Sequence, residues 1–149
     1  MQTIPPRITS TRILERFLSG LGIAVCVIVC LRTWQVISGQ QPLWPLPALY
    51  LLEMIAASFV GWLSLYDRGL NPSPFVGALP WVTVGILAAF VAMGAWSIGF
   101  LFFPVALLFV ISAVLSDRRR GQPIAVHVGV CGVVALAQVG LMLLVIQVL

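Results

Sequence analysis

The stretch Phe75–Ser116, FVGALPWVTVGILAAFVAMGAWSIGFLFFPVALLFVISAVLS, runs for 42 residues without one charged side chain. Drawn as a single helix it would extend roughly 63 Å at 1.5 Å per residue, about two hydrocarbon cores of ~30 Å each. It therefore has to fold back on itself. The turn is expected at Met93-Gly94-Ala95-Trp96-Ser97, where glycine can end one helix and Ser97 can cap the next. Two membrane spans result, about 75–94 and 97–116, joined by a tight outer hairpin.

On either side of it, three further apolar segments have span length, at about 17–37, 46–66 and 124–146. None shows the alternation of about ten-residue strands that an outer-membrane barrel requires. The expected fold class is an all-α integral membrane protein, a bundle of about five transmembrane helices in one domain over 1–149. A four-span alternative, with Phe75–Ser116 partly re-entrant, orders the arginines less tidily at the last connection. Composition agrees with lipid as the solvent. Hydrophobic residues make up 61% and charged residues 8%, whereas a soluble domain needs about 25% charged to cover its surface.

Orientation is read from arginine, which supplies all eight basic residues. Arg7, Arg12 and Arg16 precede span one, Arg68 follows span two, and Arg118, Arg119 and Arg120 follow span four. With five spans these seven share one side, and the connections at 38–45 and 94–97 carry no charge. This is the positive-inside pattern, so an N-in/C-out topology is expected. The arginines before span one imitate a signal peptide, but no small-x-small site follows, and an uncleaved span is expected. Exclusive use of Arg points to GC-rich coding and a bacterial cytoplasmic membrane. The net charge of +4 sits at span ends, so the expected partner is anionic lipid headgroups and not nucleic acid.

Aromatics and prolines fit the same layout. Trp34, Trp44 and Trp96 are expected at the outer interface and Trp62, Tyr66 and Trp81 at the inner one. Pro45 and Pro47 open span two and Pro123 opens span five, where a missing N–H costs little. Pro104 is expected to kink span four.

Two charges fall inside the apolar segments, Arg32 and Glu53, and each costs roughly 2.5–3.5 kcal/mol on insertion scales. All other charges are expected in solvated connections, Asp67 and Asp117 included, each beside an arginine. Glu53 shares a face with Ala57 and Gly61, which allows close helix approach. Arg32 and Glu53 come at similar depth in adjacent antiparallel spans, so an intramembrane charged pair is expected, with snorkelling of Arg32 as the alternative. Gln138, midway along span five, is the other polar residue at depth, able to bond across to a neighbouring helix. Arg118, Arg119 and Arg120 are read as a topology or lipid-headgroup cluster.

Other constellations carry less. Cys26 and Cys30 share a face, as do His127 and Cys131, but the two pairs differ in depth by more than about 10 Å. One tetrahedral zinc site cannot bridge that, and packing is the expected use. An odd number of thiols within apolar segments is no disulfide framework. No Ser–His–Asp set, phosphate loop or acidic cluster is present, so no catalysis, cofactor or metal is expected. The functional expectation is a non-enzymatic accessory, assembly or scaffold component of a membrane complex, as a homo-oligomer or with larger subunits. The alternative is a small oligomeric transporter or ion pathway using Glu53.

Overall fold

The computed structural model describes residues 7–38, 46–66, 74–94 and 98–148. Among them are five α-helices and no strand: α1 (Arg7–Ser38), α2 (Leu46–Tyr66), α3 (Pro74–Met93), α4 (Phe103–Arg120) and α5 (Ile124–Val148). All five are long and apolar enough to cross a membrane, α4 together with the 3₁₀ turn Ile98–Phe102 that leads into it. Helices suit this sequence because a spanning segment in lipid must satisfy its backbone groups internally.

Helix ends follow local chemistry. Nothing between Arg7 and Phe17 breaks a helix, so α1 begins ten residues before the apolar run and reaches 32 residues, roughly 48 Å. Its first turns therefore belong to the bundle and not to a connection. Pro104 does not kink a helix. It occupies the first turn of α4, where its missing N–H is one of the unpaired donors anyway, and the 3₁₀ turn takes up the irregularity before it. Pro80 does lie inside a helix, α3. At the far end of α4, Gly121 adopts φ 66 and Gln122 N–H donates to Asp117 O at 3.0 Å, closing the helix before Pro123. Between α3 and α4, Gly94 N–H donates to Phe90 O, and a Cβ on Gly94 would lie 2.6 Å from Gly99 Cα. The expected capping by Ser97 lies outside the described residues.

Packing makes a four-helix ring with one outrigger. α1 packs on α2 and α4, and both of these pack on α3. α5 lies along α3 outside the ring and touches α4 only slightly. Cys26, Met54, Leu87, Val105 and Phe109 form the centre. Glycines set the approach at three interfaces. A Cβ on Gly22 would sit 3.0 Å from the Phe109 ring, one on Gly61 2.6 Å from Thr83 Oγ1, and one on Gly85 2.7 Å from Cys131 O. The small face of α2 thus packs on α3, where Thr83 Oγ1 also donates to Ala57 O at 2.9 Å.

The burial pattern of α1 is inverted relative to a helix of a soluble bundle. On α1 the buried stripe is Glu15, Ser19, Gly22, Cys26, Cys30 and Thr33, while Ile13, Phe17, Ile28 and Leu31 are exposed. Lipid tails solvate Leu and Ile as well as a core does. Small and polar groups gain more from one another than from hydrocarbon, so they turn inward.

Candidate functional site

Polar side chains gather at two levels of the bundle. The first lies where the ends carrying Arg12, Arg16 and Arg118–Arg120 come together. Here α1, α3 and α5 begin and α2 and α4 end. The last turn of α4 places Asp117 inward, 2% exposed, on the face that continues Phe109, Ala113 and Ser116. Trp81 Nε1–H of α3 donates to Asp117 Oδ2 at 2.8 Å, and His127 Nδ1 of α5 lies 2.9 Å from the same oxygen. An ionised carboxylate only accepts, so His127 is the donor at Nδ1. Removing the carboxylate strands two buried donors at once.

Glu15 of α1 is buried beside this layer, 1% exposed. Arg119 grips it with a fork: Nε donates to Oε1 at 2.9 Å and Nη2 to Oε2 at 2.9 Å. This ion pair joins α1 to α4. At its rim the Arg16 guanidinium stacks over Tyr66 of α2, 4.5 Å from the ring centroid, and Tyr66 packs on Trp62.

Several expectations change here. Asp117 is not a solvated interfacial group, and Trp81, 4% exposed, is a buried donor instead of an interfacial anchor. His127 is likewise inside the bundle, 7% exposed. Glu15 lies in the bundle and not in a solvated connection, because α1 starts ten residues before the apolar run. Arg119 leaves the cluster of three to bind Glu15, while Arg118 stays exposed. Asp67, Trp44 and Trp96 lie outside the described residues.

The second level is deep in the bundle. Gln138 Nε2 of α5 donates to Glu53 Oε1 of α2 at 2.7 Å. The expected Arg32–Glu53 pair does not form: among the described residues Glu15 pairs with Arg119, and Asp117 lies against His127. Helix rotation is the reason. The α2-facing stripe of α1 is marked by Cys26 and Cys30, whose thiols donate to Met54 O at 3.7 Å and Leu51 O at 3.8 Å. Arg32 follows Cys30 by two residues, about 200° around the helix, and is exposed. Glu53 precedes Met54 by one residue and points past α1 toward α5. The depths match and the faces do not.

The cysteine pairs also go to separate places. Cys26 and Cys30 face α2, whereas His127 and Cys131 lie on α5 against α3. The described residues contain no group of three or more His, Cys, Asp and Glu side chains placed to hold a metal.

Five span-length apolar helices around internally bonded polar groups define a small polytopic membrane protein of the all-α class. No family model, no curated protein and no solved structure matches the chain.

Proposed function

We propose that this chain is a non-enzymatic accessory, assembly or scaffold component of a membrane complex, held N-in/C-out in a bacterial cytoplasmic membrane. The observation that carries the reading is the coverage of α5. Only 11% of its apolar window is buried inside the chain, against 44% for α4. On this open helix a Cβ at Gly129, Gly132 or Gly140 would meet nothing within 4 Å. Glycine facing lipid gives up side-chain contacts and helix propensity. Against another helix the same residues allow close approach. Short connections between helices leave the lateral surface as the place to bind a partner, and the buried acids are already bonded within the bundle.

The orientation belongs to this proposal. It is supported by the gathering of Arg12, Arg16, Arg118, Arg119 and Arg120 at one end of the bundle.

The test is gentle extraction from the native membrane followed by mass measurement of the intact particle. A stoichiometric assembly that Gly132→Leu dissociates, leaving the chain folded, supports the scaffold. A lone 16.1 kDa chain in its detergent belt, unaffected by Gly132→Leu, removes it.

One observation favours a second reading, a small oligomeric transporter or ion pathway using Glu53. The Glu53 carboxylate has a neutral amide partner and no counter-charge among the described residues. Ion flux into proteoliposomes abolished by Glu53→Gln is its expected result.

A further inference from the structure

The surroundings of Glu53 are those of a binding site more than of a structural pair. α2 and α5 both pack on α3 but not closely on each other, so Glu53 and Gln138 meet across the angle between two helices. Gln138 is buried, 8% exposed, while Glu53 is only partly so. On the Glu53 side of α2, Leu49 one turn before and Val60 two turns after are exposed. The angle therefore borders the lipid-facing surface of α2.

Charge and hydrogen bonding are both incomplete there. Arg32 is exposed on another face, and among the described residues no cation pairs with Glu53. Gln138 uses its N–H on Glu53 Oε1, and its own carbonyl is a further acceptor. One turn before Glu53, the Tyr50 hydroxyl is buried with no hydrogen-bond partner. The Tyr50 ring meets Phe90 of α3 edge to face, with centroids 5.5 Å apart.

A carboxylate in hydrocarbon is strongly disfavoured unless a proton or cation accompanies it. The ligand set decides which cation fits. Calcium takes six to eight oxygens, and magnesium a rigid octahedron. Three side chains with a single charge do not build either. One negative charge, neutral oxygens and aromatic rings beside a lipid-facing surface suit a bulky monovalent organic cation, which gains from the charge, the rings and the apolar walls together.

We propose that the angle between α2 and α5 binds a lipophilic monovalent organic cation of the quaternary ammonium or phosphonium class, entering from the bilayer. Glu53 supplies the charge, Gln138 positions its carboxylate, and Tyr50 with Phe90 supplies the aromatic wall. This rests on the second functional reading and names its substrate class.

The experiment is equilibrium dialysis of tetraphenylphosphonium against the full chain in uncharged phosphatidylcholine nanodiscs, with tetraphenylborate as the anion of matching shape. Saturable binding of one cation per chain is expected, weakened at least tenfold by Glu53→Gln and less by Glu53→Asp, with tetraphenylborate taken up equally by all variants. Glu53→Gln is isosteric, and unchanged circular dichroism and elution volume establish that it folds. Equal uptake of the cation by the native chain and Glu53→Gln overturns the proposal and leaves a proton as the occupant. Proteoliposome flux separates this failure from that of transport. Glu53-dependent proton flux without phosphonium binding overturns the substrate class alone, whereas absence of both removes the transport reading as well.

Discussion

Replacing Arg119 by Gln removes the guanidinium fork from Glu15 and leaves that carboxylate 1% exposed among α1 and α4. Breaking a buried pair by deleting one partner costs about 3–5 kcal/mol, because the remaining charge keeps its desolvation penalty. Arg119→Gln belongs toward the upper part of that range, since Glu15 is the more buried partner and its side chain is short. Glu15→Gln is expected to cost less. Arg119 is 15% exposed, and its long stem lets the head group reach water or phosphate. The double variant Glu15→Gln with Arg119→Gln leaves two neutral amides able to bond to each other, so it should recover about 2 kcal/mol or more relative to additivity. Unfolding in mixed micelles by titrated dodecyl sulfate, followed by circular dichroism, reads all three. Arg119→Gln matching the native chain within about 0.5 kcal/mol, or two single losses that simply add, would show that the buried pair is not coupled in this way.

Gly85→Ala should release α5 from α3. The added Cβ would stand 2.7 Å from the Cys131 carbonyl, and backbone cannot step aside as a side-chain tip can, so hydrogen exchange should rise along α5 before it rises in α1 or α2. Asp117→Ala should destabilise more than Asp117→Asn, by about 1–3 kcal/mol for each stranded donor, because Asn keeps an oxygen for Trp81 or His127; equal melting of the two variants would contradict this. Under the N-in/C-out reading, a reporter enzyme that works only outside the cytoplasm should be active when fused after Leu149, and a silent fusion would reverse the orientation.

Spans were legible in the sequence because charge-free length is a one-dimensional property. Phe75–Ser116 alone forced a reversal, and α2 follows its apolar segment, Leu46 to Tyr66. Side-chain partners were not legible, because they depend on helix rotation. Arg32 and Glu53 matched in depth, yet a difference of two residues from Cys30 turned Arg32 outward. A usable signal did exist. Glu15, Ser19, Gly22, Cys26, Cys30 and Thr33 recur every three to four residues on α1, a small and polar stripe that in lipid marks the inward face. Reading that stripe would have placed Glu15 in the bundle. Nothing comparable foretold Trp81 as a donor to Asp117, since the contact is made across 36 residues and by helices whose relative rotation only the fold supplies.

Glu53 looks toward α5 and not toward α1. In a chain with its native cysteines replaced by alanine, Glu53→Cys with Gln138→Cys should cross-link rapidly in intact membranes under mild oxidation or with a short bifunctional maleimide. Glu53→Cys with Arg32→Cys should not. Cross-linking of the Arg32 pair and failure of the Gln138 pair would contradict the account and restore the charged pair between α1 and α2.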